Sequence, residues 1–433
     1  MDQSERNQAL MKATLTFTWL SLLLITTTAV HADGVTERIT KFDSNSLRGK
    51  VLCGYQGWFR CAGDAADMGW VHWSRDSQQL SSNKLTFEMW PDVSEFPDNE
   101  RFAAPGFTDA GGKPMSLFSS DHPGTVRRHF DWMRDHGIDG VWLQHFVVDL
   151  PGGPAESRYP SRRRVLNHVR DSATKTGRVW ALAFDIAGMK TEKIYEVLTR
   201  EWKRLVDEGI TQDPNYVHEG GKPVVEIWGF YKQSTGNFLS TAVANQLLDF
   251  MKAPGPYAAY VVGGGDWDWR RNTDPDWQAM LRRLDAYSPW NPGNTTKDKD
   301  GIVHASMGYW AEDKQECEKR GQLWLPIVYP GFSWDNLQRK PAGTTTIPRR
   351  GGQFLWEQFH ELSKLGVTSA CVAMFDEVDE GTAIFKVTNE PPTQAPFVTF
   401  DGKPSDWYLR LVGEGTRLLR IKTPVPELIP IQP

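Results

Sequence analysis

The sequence predicts an α/β fold, a single (β/α)8 TIM barrel, on three observations. Eight short, β-rich apolar runs recur along the chain. Helical patterns separate most of them. The residues that close these runs are rich in aromatic, amide and acidic side chains, as expected where a barrel gathers its strand ends at one mouth.

The runs cover 51–55, 140–146, 179–186, 223–230, 257–262, 286–290, 324–329 and 369–375. Most are near-continuous apolar stretches, the pattern of parallel strands covered on both faces. Helical spacing marks 124–136, 161–176, 191–208, 245–252, 275–284, 312–320, 352–365 and 406–420. In the third of these, Ile194, Val197, Leu198 and Leu205 fall on one helix face. Pro123 and Pro275 stand near helix starts, where the missing N–H would have had no intrahelical partner. A doubly wound open sheet with an added domain would draw on the same elements. Their count and order favour the eighth strand closing on the first. The first connection, 56–123, is too long for a simple crossover and is expected to fold over the barrel mouth.

With 39% hydrophobic and 24% charged residues the chain reads as globular, and a net charge of −5 suggests neither nucleic acid nor an anionic membrane as partner. The first 32 residues have the features of a signal peptide: Arg6 and Lys12, a mostly apolar stretch over 15–30, then the small Ala32 before Asp33. The expected organisation is a leader, 1–32, cleaved near Ala32, and one barrel domain, 33–433, with a C-terminal tail helix at 406–420. The protein is expected to be secreted or periplasmic, with no membrane span after the leader is removed. Cys53, Cys61, Cys317 and Cys371 lack zinc-site spacing, and no disulfide pairing is assigned.

Tryptophan is the compositional outlier, at 19 residues. Rings within helices and strands fill a core, whereas rings at strand ends suit a cleft that stacks on the apolar faces of sugars. The first run closes on Tyr55, Gln56 and Trp58, the second on Gln144 and His145, the third on Asp185 and the fourth on Trp228. Three glycines, 263–265, lack phosphate-loop spacing and are read as a flexible loop carrying Asp266, Trp267 and Trp269 to the cleft. The sixth run closes on Trp290 and the seventh on Tyr329.

The strongest signal follows the eighth run, where Asp376, Glu377, Asp379 and Glu380 lie within five residues. Glycoside hydrolysis needs two carboxyl groups, one protonated and one ionised, and crowding separates their pKa values. In an extended chain Glu377 and Glu380 would point to opposite faces, roughly 10 Å apart. A turn eased by Gly381 would bring both into one cavity. A solvated acidic loop tip, or a Ca2+ or Mg2+ site, would use the same cluster.

The stretch Glu377-Val378-Asp379-Glu380-Gly381-Thr382 resembles the Asn-Glu-Trp-His-Glu-Gly-Thr motif of glycoside hydrolase family 99, the endo-α-mannosidases. Together with Gly54-Tyr55-Gln56-Gly57-Trp58-Phe59, it makes the mature chain similar to the family 71/99-like group of exported proteins. The resemblance implies a (β/α)8 barrel that cleaves α-mannosidic bonds with retention, through a 1,2-anhydro sugar. The position of Glu377 matches the glutamate that deprotonates the sugar's 2-hydroxyl. Glu380 matches the one that protonates the leaving oxygen and then activates water. No metal or organic cofactor is implied. Asp376, Val378 and Asp379 replace the family's Asn, Trp and His, and the third run ends in Asp185-Ile186-Ala187 where the family has His-Ile-Glu-Pro-Tyr.

The expected function is therefore an exported glycoside hydrolase, a retaining endo-acting α-glycosidase with Glu377 and Glu380 as catalytic groups and an oligo- or polysaccharide as substrate. Tyr55, Gln56, Trp58, Gln144, His145, Asp185, Trp228, Asp266, Trp267, Trp290, Tyr329, Asp376 and Asp379 are the candidate substrate-binding residues. A glycosidase of other specificity on the same scaffold, and a non-catalytic carbohydrate-binding protein, are the alternatives.

Overall fold

A computed structural model describes residues 42–231 and 239–433, and the expected leader lies outside the described residues. The first six barrel strands are Val51–Tyr55, Gly140–Phe146, Val179–Asp185, Lys222–Phe230, Tyr260–Gly265 and Ala286–Pro289. The seventh comes in two halves, Leu323–Trp324 and Ile327–Val328, and the eighth is Ala370–Val372. All neighbours pair in parallel, in chain order.

Proline explains the divided strand. Pro326 has no N–H, so a continuous ladder cannot run through it. The first half stays with the sixth strand (Leu323 beside Ala286), and the Leu325 N–H donates to the Tyr287 carbonyl at 2.9 Å. The second half pairs with the eighth strand (Val328 beside Val372), and the Pro326 carbonyl accepts from the Cys371 N–H at 2.8 Å. The eighth strand also pairs with the first, Val51 beside Ala370, and the ring closes.

A crossover helix follows each strand: Pro123–Asp135, Tyr159–Thr176, Thr191–Asp207, Thr241–Lys252, Pro275–Leu281, Trp310–Lys319, Gln353–Lys364 and Trp407–Arg420. Local chemistry sets their ends. Pro275 opens its helix behind Asp274, whose carboxylate accepts from the Asp276 and Trp277 N–H groups at 3.0 and 3.2 Å. Gly177, at φ 68°, ends the second helix in the left-handed conformation. The last helix, read from sequence as a tail, occupies the eighth crossover position. Its Trp407 indole N–H donates to the Gly351 carbonyl, and Arg420 pairs with Asp139 at the barrel floor.

The first connection folds over the mouth, as its length predicts. It carries an antiparallel ribbon, Phe102–Thr108 with Pro114–Leu117. Glu88 fastens it: its N–H donates to the Val378 carbonyl at 2.7 Å, and its carboxylate accepts from Ser333 Oγ and the Asn336 N–H. The four cysteines are buried free thiols. Among the described residues no helix is long and apolar enough to cross a membrane.

Candidate active site

The C-terminal strand ends surround a cavity of about 530 Å³, a size suited to a small molecule or a few sugar units. Strand alternation decides which side chains reach it. Gln56, Gln144, Asp185 and Trp228 border the cavity, as does Trp58. Trp290 joins them from the sixth strand end, its ring T-shaped against Trp228 at 5.7 Å.

Glu377 and Glu380 both border the same cavity. The turn that places them closes on backbone bonds. The Glu377 carbonyl accepts from the Thr382 and Ala383 N–H groups, and the Gly381 N–H donates to the Val378 carbonyl. Gly381 holds φ 60°, a value that a Cβ would strain. The Glu380 carbonyl accepts from the Ser333 N–H at 2.9 Å, which ties the turn to the seventh strand end.

Both carboxyls are held above the ordinary carboxylate range. For Glu377 burial is the largest cause, followed by the charges of Glu380 and Asp379. The Gln56 amide works the other way, donating to Glu377 Oε2 at 3.0 Å. For Glu380 burial again dominates, opposed by the Trp334 indole and reinforced by Asp185. Two crowded carboxyls of this kind, one buried and one half-buried, retain a proton more readily than two ordinary ones.

The other two acids of the cluster turn away. Asp376 is fully buried and accepts from the Gln56 and Gly57 N–H groups at 2.8 and 2.9 Å. It anchors Gln56, and burial raises its pKa to about 6 against the pull of those N–H groups. Asp379 meets His72 Nδ1 at 2.9 Å. Burial disfavours charge on both partners, raising the Asp379 carboxyl and lowering the His72 ring. His72 in turn stacks on Trp58 at 3.9 Å between centroids, and Trp58 stacks on Phe146. Asp379 thus fixes a cavity wall without bordering the cavity. Among the described residues no group of three or more His, Cys, Asp or Glu side chains is placed to hold a metal ion.

Six further sequence-predicted residues do not border the cavity. Tyr55 and His145 occupy the outward register of their strands. Tyr55 bonds His129 at 2.9 Å in the first helix, and His145 bonds Glu201 at 3.0 Å in the third. Burial would raise Glu201, but the bonds from His145 and Arg204 bring it down to about 2. Tyr329 donates to the Asn294 carbonyl and packs on Phe354. The three glycines form the end of the fifth strand rather than a flexible loop. The chain beyond them therefore leaves the mouth: Asp266 accepts from the Tyr287 hydroxyl through its carbonyl, Trp267 lies against Tyr309, and Trp269 is buried on Tyr287.

Sequence reading missed Glu226 and Trp142, both of which border the cavity. Glu226 had a signal, a lone carboxylate inside the apolar run Val224-Val225-Glu226-Ile227-Trp228, on the same strand face as Trp228. Gly264 on the neighbouring strand makes room for it, since a Cβ there would sit 3.2 Å from Glu226 Oε1 and 2.9 Å from the Trp228 ring.

No protein-family model matches the chain, and no curated protein does. Solved structures do. A GH99 endo-alpha-mannosidase from Bacteroides thetaiotaomicron is similar over 87% of this chain and 99% of its own, with a TM-score of 0.64 and 14% identity. A second GH99 endo-alpha-mannosidase structure from that organism, in complex with bis-tris-propane, matches at TM-score 0.64 and 14% identity over 88% and 99% of the two chains. The architecture is the (β/α)8 barrel of these glycoside hydrolases, in keeping with the family 99-like group that the strand-one and strand-eight motifs resemble.

Proposed function

We propose that the protein is an exported glycoside hydrolase, a retaining endo-acting α-glycosidase on an oligo- or polysaccharide. One observation carries the reading: a single turn delivers Glu377 and Glu380 to the mouth of an aromatic-walled cavity at the C-terminal strand ends. Crowded carboxyls whose environments push their pKa values apart supply an acid and a base together.

The chemistry follows the family resemblance. Glu377 takes the proton of the sugar's 2-hydroxyl while that oxygen attacks the anomeric carbon. Glu380 gives its proton to the leaving oxygen. Water then gives a proton to Glu380 and attacks the same carbon, and Glu377 returns its proton to the opening 2-oxygen. Gln56 donates to Glu377 Oε2 and opposes, without overcoming, the burial that holds that carboxyl up. The sugar itself is not fixed by the resemblance, because the positions of Asp376, Val378, Asp379 and Asp185 depart from the family 99 pattern.

The test is a glycan-array digestion by the chain from Asp33 to Pro433, with Glu380→Gln alongside. Cleavage of one linkage class, abolished in the variant, supports the reading. Binding without cleavage by either protein replaces it with the carbohydrate-binding alternative.

A further inference from the structure

Two carboxyls in the cavity have no part in that hydrolysis. Asp185 ends the third strand, and Glu226 sits inside the fourth. Strand register places Ala183 beside Glu226 and Asp185 beside Trp228, so both acids share the inward face of adjacent strands. Glu226 is 5% exposed, borders the cavity and makes no hydrogen bond to a described residue. Among the described residues Asp185 accepts a single bond, from the Ala187 N–H at 2.7 Å.

Among the described residues nothing bordering the cavity balances them. Every charged side chain among the described residues bordering the cavity is acidic: Asp185, Glu226, Glu377 and Glu380. The remaining wall is dominated by rings, among them Trp142, Trp228 and Trp290. A buried carboxylate without a partner is costly, and a cation between carboxylates and indole faces is attracted by both. A hydroxyl would satisfy hydrogen bonds there without the added attraction between opposite charges. A uronate or sulfate would carry the wrong sign.

We propose that Asp185 and Glu226 form a subsite for a protonated amine, so that the glycan unit filling this side of the cavity is an amino sugar with a free amino group. The assignment deepens the glycoside hydrolase reading and rests on it for the word glycan. Burial already lifts Asp185 to about 7, and burial with the Asp185 charge lifts Glu226 to about 8. An ammonium ion between them would lower both.

The test is calorimetric titration of the mature chain with methyl α-glycosides of glucosamine, galactosamine and mannosamine. Their N-acetyl forms and the parent hexosides serve as controls. At least one amine should bind tenfold or more tightly than both of its controls, and that preference should vanish in Glu226→Gln and in Asp185→Asn. Circular dichroism of the variants confirms the fold, and the wild-type comparison stands without them. Equal binding of amine and neutral sugars, or no amine binding, overturns the subsite. So does a preference that survives both variants and disappears in Glu380→Gln, because it places the amine at the hydrolytic pair. Amine binding without cleavage of any glycan would remove the hydrolase reading and leave the subsite. Cleavage of neutral glycans without amine preference would do the reverse.

Discussion

The cavity holds two pairs of acids that reach it by different routes. Glu377 and Glu380 are three residues apart and are brought together by one turn. Asp185 and Glu226 belong to separate strands and meet only through barrel register. The first pair rides on a loop stitched to its neighbours by backbone bonds, beside an amide that steadies one carboxylate. The second is mounted on rigid strands with almost no hydrogen-bond support. Local clustering marks groups that act on each other. Strand mounting marks groups fixed in place to face a ligand.

That contrast can be broken by substitution. Glu380→Gln should lower the turnover of any cleaved glycan by about 10³-fold or more, within the range expected for losing a general acid, and leave the fold intact by circular dichroism. A variant of near wild-type rate would remove the loop pair from catalysis.

Glu226→Gln should act on stability instead. The folded pKa of Glu226 lies near 8, against an ordinary 4.5, because burial and Asp185 disfavour its charge. With the folded pKa raised, the stabilising contribution of the acid is complete below about pH 4.5 and is lost as the pH climbs through about 8. The glutamine variant lacks that loss. Its melting temperature should therefore exceed wild type by more at pH 8 than at pH 5, for a gain on the order of a few kcal/mol. A gap that does not widen with pH contradicts the buried, unpartnered state of the acid.

His145→Ala should cost about 1–3 kcal/mol in denaturant unfolding, by removing a partner of buried Glu201, with cleavage unchanged. A selective loss of activity at full stability would return His145 to the site. The smallest effects separate two tryptophans that look alike in sequence. Trp228→Ala should weaken glycan binding about tenfold, or ~1.4 kcal/mol, whereas Trp267→Ala should leave it within about twofold. Equal losses would mean that the cleft extends past the fifth strand.

The sequence by itself determined the barrel, because its strands are buried on both faces and their apolar runs stand out against the helical period. It also determined the pair Glu377 and Glu380, because a turn after the eighth strand is a local event and Gly381 signals it. Only the tertiary structure decided which neighbours face inward. Tyr55 and Gln56 are adjacent, as are Gln144 and His145, yet strand alternation sends one of each pair into the cavity and the other to a helix. The three glycines after Val262 carry no side chains, so their composition alone could not separate a strand end from a loop. Glu226 and Asp185 meet because residues distant in the chain come into register across parallel strands, and that register is set by closure of the whole ring.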